Sequence, residues 1–264
     1  MWIHSFKIAC VIAEIRGLRI WYEEAGRGEP IVLLHAGGGS CAMHATQLKA
    51  FAAAGYRAIS YDRRGYGRTE ATAGAAGDTV DDLVALLDHL GLERLHLVGT
   101  AAGGIVAFDF ALSHPQRVRS LVVANSIGGV QDEDYLALQK RLRPSPHFDA
   151  LPAELRELGP SYRAENPDGV EQWRALEHVA RHQDGLRLPP TKNRLTFARL
   201  AELRVPTLLL TGDADLYTPP AVLRLFARSI PGAKSVVIPE CGHSAYWEQP
   251  ERFNREVLDF VAQK

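Results

Sequence analysis

Gly99-Thr100-Ala101-Ala102-Gly103 follows the apolar run Leu95 to Val98 and leads into a second apolar stretch, IVAFDFAL. Two glycines bracketing one residue suit a sharp strand-to-helix turn that lifts the central side chain out of a sheet. Such a turn presents a nucleophile for acyl transfer. Here the central residue is Ala101, whose methyl group can neither attack a carbonyl nor give up a proton. Glycine turns of this spacing also occur with no chemistry attached, so the reading depends on three further segments. His35-Ala36-Gly37-Gly38-Gly39 follows the run IVLL, and a glycine loop at a strand end can aim backbone N–H groups at a developing oxyanion. No Gly-Lys-Ser/Thr follows it and no G-x-G-x-x-G opens a helix, which argues against phosphate binding. LLLTGDADLYTPP puts Asp213 and Asp215 just after a strand-like run, where a carboxylate can orient an imidazole and stabilise its protonated form. VVIPECGHSAYWEQP puts His243 in a loop ahead of the closing helix. The chain order is therefore turn, acid, histidine.

Positioning these groups requires a sheet. Ile31 to Leu34, Leu95 to Val98, Leu121 to Ala124 and the weaker Ala58 to Tyr61 are short apolar runs, suited to strands buried on both faces. In DTVDDLVALLDHL, the residues Val80, Leu83, Val84, Leu87 and Leu90 share one helical face, and Asp78 is placed to cap it. The alternation resumes with Thr207 to Thr211, Ala221 to Ser229 and Ser235 to Ile238, and a last helix starts near Glu251. Strand and helix in alternation predict an α/β fold with a mostly parallel, doubly wound sheet. The middle differs. Only three of the 23 glycines, but ten arginines, lie between residues 130 and 204, and strand-like runs vanish there. Residues 130–204 are expected to form a helical insertion over the carboxyl ends of the strands, where open α/β sheets bind ligands. Residues 1–129 and 205–264 would form the core.

The 264 residues carry a formal charge of −1, which argues against nucleic acid or an anionic membrane as the partner. Three scattered cysteines suit neither a disulfide framework nor a metal cage. The opening residues do not read as a signal peptide, and no apolar run is long enough to span a membrane. The expected setting is cytoplasmic, and a homodimer is allowed for.

With Asp62-Arg63-Arg64-Gly65-Tyr66-Gly67 after an early strand and the Gly242-His243 pair near the C-terminus, the chain resembles the α/β-hydrolase family along essentially its whole length. It looks closest to the small capped bacterial esterases, enol-lactone hydrolases and carbon–carbon bond hydrolases of aromatic degradation. The resemblance implies a catalytic set with Ala101 at the nucleophile position, Asp215 as the acid (Asp213 as fallback) and His243 as the base. It also implies an oxyanion hole from the N–H groups of Gly37 and Ala102, with no cofactor and no metal. Where the family has serine, this chain has Ala101, and Ala36 stands where glycine is common. Either a serine was replaced so that substrate is trapped, or the chain is a natural member without covalent catalysis. The coherence of the remaining apparatus favours the first.

The expected activity of the serine form is hydrolysis of a small-molecule carboxylic ester or lactone, which the alanine form binds intact. Cleavage of a carbon–carbon bond beside a ketone needs the same residues. A ligand-binding protein, or a cofactor-free lyase or oxygenase using His243 as a base, is the alternative of another class. Trp173, Tyr217 and Trp247 are expected to bind substrate, with Tyr246 a further wall, and an arginine of the insertion could meet a substrate carboxylate. Thr100, Ser40, Cys41 and Ser126 read as loop or cap residues. His178 and His182 form an i, i+4 pair with no evident third ligand.

Overall fold

The computed structural model describes residues 7–71, 77–180 and 190–264. Its strands are β1 (Ala9–Ile15), β2 (Leu18–Ala25), β3 (Pro30–Leu34), β4 (Arg57–Tyr61), β5 (Glu70–Ala71), β6 (Leu95–Thr100), β7 (Val118–Ala124), β8 (Thr207–Gly212) and β9 (Lys234–Ile238). They form one sheet in the order β1-β2-β4-β3-β6-β7-β8-β9, with β5 beside β2. From β4 to β9 all neighbours are parallel, while β1, β2 and β4 pair antiparallel.

Alternate residues of the central strands feed two cores. Val32, Leu34 and Leu97 face one cluster, which the helices Thr79–His89, Ala102–Ser113 and Pro220–Ser229 complete. Ile31, Leu33 and Val98 face the other, under the helices Ala45–Ala53 and Pro250–Val261. Burial on both sides is why these strands read as unbroken apolar runs. Asp78 caps its helix as expected, accepting from the N–H groups of Val80 and Asp81.

The β1–β2 hairpin was not anticipated from sequence. Its turn is Arg16-Gly17, both at positive φ (51° and 75°), the backbone of a tight two-residue hairpin. Between β7 and β8 the described residues contain helices and no strand: Glu133–Leu142, Ala153–Glu157, Pro160–Glu165, Pro167–Ala180 and Phe197–Leu200. Among the described residues no helix is long and apolar enough to cross a membrane.

Candidate active site

β6 ends at the bracketed turn, and Ala101 sits there at φ 47°, ψ −114°, a left-handed, strained backbone that L side chains rarely hold. The bracketing glycines make it feasible by close approach. A Cβ on Gly99 would lie 2.5 Å from the Gly103 carbonyl oxygen, and one on Gly103 would lie 2.2 Å from that of Leu34. The turn is locked from behind. The Ala101 N–H donates to Ala124 O at 2.9 Å, and the Ser126 hydroxyl donates to Ala101 O at 2.6 Å.

Asp215, after β8, and His243, after β9, meet as a buried pair. His243 Nδ1 lies 2.9 Å from both carboxylate oxygens. The carboxylate also accepts from the N–H groups of Tyr217 and Thr218, the Thr218 and Thr211 hydroxyls and Asn125 Nδ2. Burial alone would raise the Asp215 pKa, but the His243 charge and these donors hold it well below the usual carboxylate range. Burial alone would lower His243, yet the charges of Asp215 and Glu157 leave it raised. Asp213 makes no contact of this kind; it accepts the Cys241 N–H at 3.3 Å.

The oxyanion loop is set by a buried cation. His35 accepts the Arg63 N–H at Nε2, so its proton sits on Nδ1, 2.7 Å from Ala36 O. The Arg63 guanidinium, 1% exposed, donates to His35 O and Ala36 O and lies over the Tyr66 ring. Among the described residues no carboxylate pairs with it. The Gly39 N–H is a third donor to Ala36 O. The Ala36–Gly37 peptide is trans, so its N–H points opposite to this triply held carbonyl. Among the described residues neither the Gly37 nor the Ala102 N–H has a partner, the latter as the first N–H of a helix.

In a serine-containing form, Arg63→Met is expected to lower ester turnover about 10²-fold, the scale of losing one oxyanion donor. Substrate affinity should change far less. Arg63→Lys should not rescue it, because an ammonium lacks the planar fork that reaches both carbonyls. Turnover unchanged in Arg63→Met would show that the loop holds its conformation without the cation.

Ala101, Ala102, Gly37, Gly38, Asn125 and His243 line a cavity of about 200 Å³. Tyr217 lines it too, its ring 4.4 Å from the His243 ring. Ile105 and Ile127 line it as well, with Glu157, which sequence reading missed, and Arg143 and Arg156, which give residue numbers to the arginine expected of the insertion. The remaining aromatics are elsewhere. Trp173 is 3% exposed in the core with Leu158 and Met43, while Trp247 and Tyr246 line a separate cleft with Tyr162 and Gln172.

Thr100 donates to Leu34 O, and burial pushes the Cys41 thiol far up. Ser40 lies buried just ahead of the short helix Cys41–His44. His182 lies outside the described residues, and among those described no cluster could hold a metal ion.

Strand order, elbow and acid–histidine pair together define an α/β-hydrolase architecture. The sequence profile of the alpha/beta hydrolase fold matches residues 29–250, and the chain belongs to this family. It is 34% identical to a 2-hydroxy-6-oxononadienedioate/2-hydroxy-6-oxononatrienedioate hydrolase of Paraburkholderia phymatum, over 93% of this chain and 92% of that protein. The structure is similar to a thermophilic esterase from Thermogutta terrifontis (TM-score 0.77, 27% identity, 97% and 98% of the two chains covered). It also shares its fold with the enol-lactonase from Burkholderia xenovorans LB400 (TM-score 0.74, 22% identity, 96% and 100% covered). These relatives are hydrolases.

Proposed function

We propose that the chain is built to hydrolyse a carboxylic ester or lactone bearing a carboxylate, and that Ala101 stands in for the serine of the active form. The observation that carries this is the buried Asp215–His243 pair on the same cavity as a positive-φ elbow and two N–H groups without a partner among the described residues. In the serine form the hydroxyl attacks the carbonyl, and His243 takes its proton and returns it to the leaving group. Asp215 holds the imidazole, and Gly37 and Ala102 receive the oxyanion. Residues 130–204 serve as the cap over this site. Three unpaired cysteines suit a cytoplasmic setting, and the partner is a small molecule.

Among the described residues the Nε atoms of Arg143 and Arg156 are buried without a hydrogen-bond partner, a supply of donors for an anionic substrate group. The same pair favours a second reading, carbon–carbon bond cleavage. The P. phymatum relative is named for oxo-dienedioates, which carry a ketone and a carboxylate at each end, and the catalytic set would be the same.

The chain as it stands is expected to bind a carboxylate-bearing ester or lactone from a panel, read by calorimetry, and to turn it over at least about 10³-fold more slowly than an Ala101→Ser form. Arg156→Gln should weaken that binding about tenfold and leave uncharged esters unaffected. Equal loss for charged and uncharged ligands would remove the carboxylate from the proposal.

A further inference from the structure

The helical segment contributes more than a wall. The Glu157 backbone carbonyl accepts the N–H groups of His243 and Ser244, at 2.8 and 3.1 Å. Glu248 tightens the same junction, its carboxylate accepting from the N–H groups of Gly159, Gly242 and Ser244. Residue 157 is thus tied to the histidine loop through its own main chain. Its side chain then lies against the imidazole on the side opposite Asp215, with Glu157 Oε2 3.9 Å from His243 Nε2. In an acyl-transfer triad, Nε2 faces the serine hydroxyl; here a carboxylate faces it and position 101 offers only a methyl group. Atoms 3.9 Å apart are too far for a direct hydrogen bond and close enough for one water to touch both.

We propose that Glu157 is a catalytic general base, with which this chain hydrolyses esters directly by water, without a covalent intermediate. The step rests on the carbonyl-binding site proposed above, though not on its serine. A water held by Glu157 and His243 attacks the carbonyl carbon as one of its protons passes to the Glu157 carboxylate. The carbonyl π pair moves onto oxygen, facing the N–H groups of Gly37 and Ala102. When the tetrahedral species collapses, the C–O bond to the leaving group breaks, and the departing oxygen takes the proton from His243 Nε2. Glu157 then returns its proton to His243. One ester and one water give one acid and one alcohol, and nothing is oxidised.

The electrostatics agree. Burial raises the Glu157 pKa above the ordinary carboxylate range even though the His243 charge lowers it, which makes it a better base. His243 is faced by Asp215 and Glu157, with Arg143, Arg156 and the Tyr217 ring on its cavity side. The two carboxylates favour the protonated imidazole, the form that can donate to a leaving group.

The test is hydrolysis of ethyl acetate, whose alkoxide leaving group needs a proton, by the full chain and by Glu157→Gln and His243→Ala, with intact-protein mass spectrometry throughout. Each substitution is expected to lower the rate above buffer about 10²-fold, with no acyl adduct on the parent chain. The pH profile separates this route from serine catalysis. The parent needs ionised Glu157 and protonated His243, so its rate falls as pH rises through the His243 pKa. An Ala101→Ser form needs neutral His243, so its rate climbs over that interval. Thermal unfolding and fluorophosphonate labelling of Ala101→Ser/Glu157→Gln check that the isostere leaves the site folded. A parent rate equal to buffer, a rate untouched by Glu157→Gln, or an acyl adduct on the parent overturns the inference. Labelling of Ala101→Ser in any of those cases leaves the proposed function standing. An unlabelled Ala101→Ser with a Glu157-dependent parent rate does the opposite.

Discussion

Replacing Ala101 by serine is expected to raise ester hydrolysis by at least about 10³-fold, within a ceiling near 10⁶ set by losses on removing a triad nucleophile. Little else has to change. The strained φ of 47° is already held by Ser126 and Ala124, and the flanking glycines already admit the close passage of Gly103 under Leu34. Serine adds one oxygen to a methyl group that already borders the cavity. Turnover on an ester and lactone panel measures the gain, and a fluorophosphonate should add its mass at position 101. A folded Ala101→Ser chain that is neither labelled nor faster than its parent would sink the serine reading.

In that serine form, Asp215→Asn is expected to lower turnover about 10⁴-fold, since an amide cannot hold the imidazole in its working tautomer. His243→Ala should cost at least as much. Asp213→Asn should cost less than about threefold, because its contact is one long backbone hydrogen bond. Reversal of the two aspartates would overturn the assignment. The pH dependence follows from the signs. His243 is raised above 6.5, so the neutral base appears, and turnover climbs, only as pH rises through that higher value. For folding, the raised histidine contributes stability that is full below 6.5 and lost as pH rises through its folded pKa. The depressed Asp215 contributes stability present above its ordinary value of 3.8 and lost as pH falls through its folded pKa. Turnover already maximal at pH 6 would contradict the two-carboxylate environment of the imidazole.

Much of this was legible beforehand because the central strands and the chemistry share residues. IVLL, LHLV and TLLLT are apolar on both faces, and each ends where a functional loop begins, so finding the strand also finds the loop. The β1–β2 hairpin was missed for the opposite reason. At the sheet edge β1 is largely exposed, with Ala13 its one buried side chain, and the turn signal lay in Arg16-Gly17 rather than in Asn-Gly. Aromatic identity failed as a guide to the cavity. Tyr217 borders it, but nothing in the residue type tells that Trp173 turns into the core or Trp247 into a neighbouring cleft. Glu157, Arg143 and Arg156 were hidden more deeply. In an Arg-rich helical stretch, charges ordinarily mark a solvated face; the docking of residues 157–159 onto 242–244 brings Glu157 to the imidazole, and Arg143 reaches the cavity by lying over the Tyr217 ring. The exception was within reach: LRELGP ends a helix at Gly159-Pro160, and a charge beside such a break lies on no regular face.

That junction sets the terms for exchanging parts. The helices between β7 and β8 hang from the sheet on two connections, yet they are welded to the histidine loop at one place, by the Glu157 carbonyl and the Gly159 N–H on Glu248. A transplanted segment of different length or helix count can alter what the cavity admits without disturbing the strands beneath. It must still deliver one free carbonyl and one free N–H, two residues apart, to that spot. Without them the His243 N–H loses its acceptor, and Glu248 holds the loop with no tie to the helices above it. A chimera that ignored this would inherit the donor's selectivity and lose the host's aim.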